Sequence, residues 1–121
     1  MVPPKQTHGP AIPAGPIVSL VYRVSPSKRT ELISFLQKAV PFYEQPGGIK
    51  IGLYESMDEP GLFLEMVAYE TQAQYEADQL RVEEDKEMKT MLKKWHEFIE
   101  GSLEVRRMKP VSLGTASVPQ P

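Results

Sequence analysis

Between Ile17 and Lys109 the apolar residues switch from period two to a 3–4 spacing and back, twice. Few architectures accept the resulting order of strand, helix, two strands, helix and strand. Ile17 to Val24 is rich in β-formers, with Val18, Leu20, Tyr22 and Val24 on one face. Ser25 before Pro26 predicts a helix start, a hydroxyl N-cap followed by proline at the first helical position. Leu32, Phe35, Leu36, Ala39 and Tyr43 form the apolar stripe of that helix, and Pro41 is expected to kink or end it near that point. Gln45-Pro46-Gly47-Gly48 turns the chain into a second strand, Ile49 to Glu55. Asp58-Glu59-Pro60-Gly61 predicts a type II turn, and Leu62 to Glu70 a third strand. Thr71 with Gln74 three residues on is a capping box, so a second helical stretch starts at about Gln72. It is expected to break near Arg81–Glu83 and to continue as an amphipathic helix from Glu84 to Glu100. Its apolar side carries Met88, Met91, Leu92, Trp95, Phe98 and Ile99. Gly101 is expected as its C′ residue, with a last strand from Leu103 to Met108.

The order β-α-β-β-α-β predicts an α+β ferredoxin-like sandwich with a four-stranded antiparallel sheet. Helices cover one face only. The helix side is assigned to Val18, Leu20, Tyr22 and Val24 with Ile49, Ile51, Leu53, Leu62, Leu64, Met66, Ala68, Leu103 and Val105. The opposite side then holds Ile17, Val21, Tyr54, Phe63, Val67, Tyr69 and Met108 among Ser19, Arg23, Lys50, Glu65, Glu104 and Arg106. A solvated face is mostly polar. Leaving these apolar side chains wet forfeits several kcal/mol at ~25 cal/mol per Å², so a second copy of the chain is expected to cover them. Glu65, Arg23 and Arg106 on that side are expected to form an ion-pair network.

The 121 residues suit one core. Residues 1–16 and 110–121 are rich in proline and glycine and are expected to be flexible arms around a domain at 17–109. A net charge of −2 gives no footprint for nucleic acid. The absence of cysteine excludes disulfides, thiolate metal sites and a thiol nucleophile. Of the two histidines, His8 lies in the arm and only His96 in the domain, so a histidine-rich metal site is not expected and no serine–histidine–acid set is assigned. No apolar run reaches the ~20 residues of a membrane span, and the first residues carry no apolar signal core, so a cytoplasmic location is expected.

Two segments carry a family likeness: FLQKAVPFYEQPGGIKIGLYES (35–56) and FLEMVAYETQAQYEAD (63–78). They resemble the antibiotic-biosynthesis-monooxygenase-like group of dimeric α+β barrels over about 17–109. The resemblance implies a homodimer and a small cavity between sheet and helices. It also implies, for some members, oxidation of aromatic or polyketide-like molecules without metal or flavin, so no cofactor is expected. Where many members have a histidine after the third strand this chain has Asp78, and where many have a glutamate late in that strand it has Val67. A haem-degrading relative needs an axial histidine on the later helix, and the region Glu87–Lys89 offers none.

Candidate chemistry is sparse. Tyr22, Asp78 and His96 are the candidate catalytic groups: a phenol that can donate, a carboxylate base and a near-neutral base. Phe35, Met66, Met91 and Trp95 are the candidate substrate-binding side chains, with Met adaptable and Trp large and apolar. The plainer reading makes Tyr22 and Trp95 core residues and Asp78 and His96 solvated ones. Two functions follow, a cofactor-independent monooxygenase acting on a small, largely apolar molecule, and a non-catalytic dimeric module that binds a small ligand or assembles. A cavity with convergent polar groups separates them.

Overall fold

A computed structural model describes residues 14–113. Most of the expected arm and tail, including His8, lies outside the described residues. The elements are β1 (Ile17–Arg23), α1 (Arg29–Tyr43), β2 (Ile49–Glu55), β3 (Leu62–Tyr69), α2 (Gln72–Glu84), α3 (Lys86–His96) and β4 (Glu100–Met108). All strand pairs are antiparallel, in the order β2-β3-β1-β4, which is the ferredoxin-like α+β arrangement. Among the described residues no helix is long and apolar enough to cross a membrane.

Several boundaries differ from the sequence expectation, each for a local reason. Pro26–Lys28 is a 3₁₀ turn and α1 begins only at Arg29, so Ser25 does not cap it. Pro41 lies in the last turn of α1, which ends near it at Tyr43, as expected. Proline leaves the Gln37 carbonyl without its helical donor, but Gln37 is exposed and water is at hand. The last carbonyls are capped from outside: Arg81 of α2 donates to Phe42 O at 2.7 Å and Tyr43 O at 3.1 Å, with its guanidinium 4.4 Å from the centre of the Phe42 ring. Thr71 caps α2 as expected, its hydroxyl accepting from Gln74 N at 3.1 Å. The break to α3 falls at Asp85, whose carboxylate accepts from Met88 N at 2.9 Å. Gly101 is not a helix cap. With φ +74° it lies inside β4, where the pairing to β1 shifts register between Val21 and Arg23, so it serves a bulge. Gly15 and Pro16, expected in the arm, are buried and bonded to Tyr69 through Gly15 N–Tyr69 O and Tyr69 N–Pro16 O, both 3.0 Å.

The largest correction concerns β3. Residues directly opposite in an antiparallel pair share a face. Tyr22 lies opposite Phe63, Leu20 opposite Glu65 and Val18 opposite Val67, while Ile49 faces Tyr69 and Leu53 faces Glu65. The helix side therefore holds Phe63, Glu65, Val67 and Tyr69, and the outer side holds Leu62, Leu64, Met66 and Ala68. A one-residue slip exchanges the two sets, and β3 is apolar enough on both to read either way. The expected ion-pair network dissolves with this exchange. Arg23 pairs with Glu59 at 2.8 Å and Arg106 with Glu104, while Glu65 is buried under the helices. The outer side becomes more apolar than expected, with Ile17 and Val21 beside the four β3 residues and Tyr54 56% exposed.

The core lies between sheet and helices. Tyr22, Leu32 and Phe63 are its most completely buried large side chains. Tyr22 stacks on Phe63 at 6.1 Å between ring centres and meets Trp95 edge-on at 5.2 Å.

Candidate functional site

Between the helix side of the sheet and α2 and α3 is a cavity of about 220 Å³. Val18 and Leu20 of β1, Ile49 and Ile51 of β2, and Val67 of β3 make an apolar floor. Met88, Leu92 and Trp95 of α3 form the roof, and exposed His96, Val105 and Arg107 stand at the mouth. The strands supply this lining because their inward positions alternate with outward ones. The 3–4 spacing of Met88, Leu92 and Trp95 puts one stripe of α3 over it.

Two tyrosine–carboxylate pairs are built into the walls. The Tyr22 hydroxyl donates to Glu65 Oε1 at 2.8 Å, and the Tyr69 hydroxyl donates to Asp78 Oδ2 at 2.6 Å. Glu65 is 4% exposed and has no cation within ion-pair distance among the described residues. Burial raises its pKa, and the Tyr22 hydroxyl and the nearby Trp95 N–H pull it part of the way back. Burial likewise pushes the Tyr22 phenol up, with the Glu65 charge adding to it, so Tyr22 stays protonated and donates. Tyr69 is held up by burial and then by its bond to Asp78. Asp78 also faces Arg81, at 3.8 Å from Oδ1.

Three buried polar atoms of cavity-lining residues have no hydrogen-bond partner among the described residues: Tyr43 Oη, Asp78 Oδ1 and Trp95 Nε1. Trp95 Nε1 is near enough to act on the Glu65 charge but outside hydrogen-bond geometry. Buried polar atoms are nearly always satisfied, so these three around one cavity suit a polar guest. Among the described residues no three His, Cys, Asp or Glu side chains are grouped as metal ligands.

The residues singled out in the sequence are only partly brought together. Tyr22 stands behind Glu65, Asp78 and Trp95 line the cavity, and His96 lies at its mouth with Nδ1 3.0 Å from Leu92 O. Met66 is on the outer face of the sheet and cannot reach the cavity, a direct consequence of the β3 register. Phe35 lies instead against Phe98, 5.7 Å between ring centres, in a groove between α1 and α3. Met91 packs with the cluster of Ala39, Tyr43 and Met88 and does not line the cavity. Glu65, Tyr43 and Tyr69 were missed as site residues. Glu65 had a signal, since it is the single charge within the strand LFLEMVAY.

Fold and site together define a ferredoxin-like α+β sandwich with a small, partly polar cavity under its helices. Residues 17–79 match the family described as Antibiotic biosynthesis monooxygenase, and the chain belongs to that family. The sequence has no significant match among curated proteins. Solved structures share the fold at low identity. A provisionally assigned antibiotic biosynthesis monooxygenase from Nitrosomonas europaea is 12% identical, with TM-score 0.66 over 85% of this chain and 96% of that one. One of the same description from Bordetella bronchiseptica is 19% identical, with TM-score 0.63 over 81% and 99%. An uncharacterised NIPSNAP domain protein from Burkholderia xenovorans is 14% identical, with TM-score 0.63 over 81% and 96%.

Proposed function

We propose that the protein is a cofactor-independent monooxygenase acting on a small, largely apolar aromatic molecule held in the cavity between sheet and helices. The observation that carries this reading is a buried carboxylate, Glu65, in a cavity lining that also holds three polar atoms without a hydrogen bond among the described residues. Glu65 is the base. Burial raises its pKa, which makes it a stronger base than an exposed carboxylate, and the Tyr22 hydroxyl holds Oε1 by a hydrogen bond. Trp95 N–H and Tyr43 O–H are donors for a developing oxyanion. Proton abstraction from an enolisable CH₂ or a phenol makes an electron-rich anion that reduces O₂ directly. In the simplest case CH₂ plus O₂ becomes C=O plus water, with substrate as reductant and O₂ as oxidant. A volume of about 220 Å³ suits one or two rings rather than an extended polyketide.

Oxygen uptake is measured with a panel of quinols and enolisable one- and two-ring ketones, for wild type, Glu65→Gln, Tyr22→Phe and Asp78→Asn. Glu65→Gln is expected to lower kcat by at least ~10²-fold, the scale of a lost general base. Unchanged rates in Glu65→Gln remove the assignment. Ligand binding without any oxygen uptake by wild type returns the protein to the non-catalytic binding module.

The same reading includes a homodimer through the outer sheet face. Leu62, Leu64, Met66 and Ala68 with Ile17, Val21 and Tyr54 form an apolar surface that a second copy would remove from water.

A further inference from the structure

We propose that the ligand of this cavity is an aromatic acid, with its anionic group held at the mouth by Arg107 while its ring hydroxyl or carbonyl reaches Glu65. This rests on the cavity being the ligand site, as proposed above. The chain has five arginines, all among the described residues. Four have a carboxylate within 4.0 Å: Arg23 with Glu59, Arg29 with Glu55, Arg81 with Asp78, and Arg106 with Glu104. Arg107 alone has none among the described residues. It is also the arginine whose side chain joins the cavity lining without a partner.

Its placement follows from the sheet. Arg107 lies opposite Val18 and Val105 opposite Leu20, so both β4 side chains are on the helix side, beside the cavity floor. Arg106, its neighbour in sequence, points to the outer face. Glu65 lies opposite Leu20 on the other flank of β1. Arg107 is therefore two strands across and two residues along from Glu65, which separates their Cα atoms by about 12 Å. With both side chains reaching inward, that distance leaves room for one or two rings. The space between is apolar: Val18, Leu20 and Val67 below, Leu92 above. A cation at the rim, apolar walls and a carboxylate with free donors at the inner end match a flat molecule with an acid at one end and a hydroxyl or carbonyl at the other. His96 flanks the same mouth, with Nδ1 3.0 Å from Leu92 O. Arginine suits a planar carboxylate because its fork can donate two parallel hydrogen bonds.

The test compares binding of 6-hydroxy-2-naphthoate and 2-naphthol by equilibrium dialysis, with fluorescence of Trp95, the single tryptophan, as a second readout. Wild type is expected to bind the acid about fivefold more tightly than the naphthol at low ionic strength, with the preference shrinking at high salt. Arg107→Ala abolishes the preference and leaves naphthol affinity unchanged, and Arg107→Lys keeps part of it. Arg106→Ala, the same charge change on the opposite face, keeps it all. A wild type without preference, or an equal loss in Arg106→Ala, overturns the inference while naphthol binding leaves the cavity reading intact. Binding of neither probe overturns both.

Discussion

Replacing Glu65 by glutamine tests the most unusual feature of this core. Glu65 is almost completely buried, takes one hydrogen bond from Tyr22 and has no cation within ion-pair distance among the described residues. Its pKa is raised above the ordinary 4.5, chiefly by burial. The sign follows from linkage: between the ordinary and the raised value the folded state holds a proton that the unfolded chain has released. Stability is therefore greatest below about 4.5 as far as this group is concerned, and falls as pH rises through the folded value. Glutamine keeps the shape and the acceptor for the Tyr22 hydroxyl but cannot ionise. At a pH above that raised value it removes an uncompensated buried charge, and Glu65→Gln is there expected to gain about 1–3 kcal/mol. At pH 4 the two proteins should differ little. Each kcal/mol corresponds to about 4–8 °C in Tm for a domain of this size. Urea unfolding followed by Trp95 fluorescence at pH 4, 6 and 8 reads the difference directly. A variant less stable than wild type at pH 8, or a difference independent of pH, refutes the argument that the carboxylate is strained by burial. A more stable but inactive variant is the outcome expected of a site that trades stability for chemistry.

Tyr22→Phe removes the one hydrogen bond to the Glu65 side chain among the described residues and should cost about 1–3 kcal/mol at pH 8 but less at pH 4, again by urea unfolding. Arg81→Ala loses two bonds to the last carbonyls of α1 and the stack on Phe42, and should cost about 2–3 kcal/mol, with faster amide exchange at the end of α1. Gly15→Ala sets a Cβ 2.6 Å from Tyr69 O and 2.8 Å from Thr71 N, both backbone, so a drop of about 1–3 kcal/mol in stability is expected. Leu64→Lys on the outer sheet face should leave far-UV circular dichroism unchanged and turn a dimer into a monomer by light scattering; a monomeric wild type would defeat the outer-face proposal.

The element order was legible because the changes of hydrophobic period, the Thr71 cap and the paired glycines after α1 are local features that act before any tertiary contact forms. The fold class follows from that order with little freedom left. The inward positions of β1, β2 and β4 were legible too, since each has one clearly more apolar face. The site was legible only where a residue type is rare: Tyr22, Asp78, Trp95 and His96 stood out, and three of them line the cavity. Gly101 was misread because its effect depends on the pairing of β4 with β1, which is not local.

What the sequence determined by itself was the order of elements and the existence of two apolar sheet faces. What only the tertiary structure decided was which way β3 turns. Leu62-Phe63-Leu64-Glu65-Met66-Val67-Ala68-Tyr69 offers apolar side chains on both faces, so its alternation is nearly symmetric, and the choice lies in the register against β1 and β2. Pairing Phe63 with Tyr22 puts the two aromatic ends of β3 under the helices, and carries Glu65 inward with them. That one-residue register sends Met66 to the outer face and makes a buried carboxylate the centre of the candidate site.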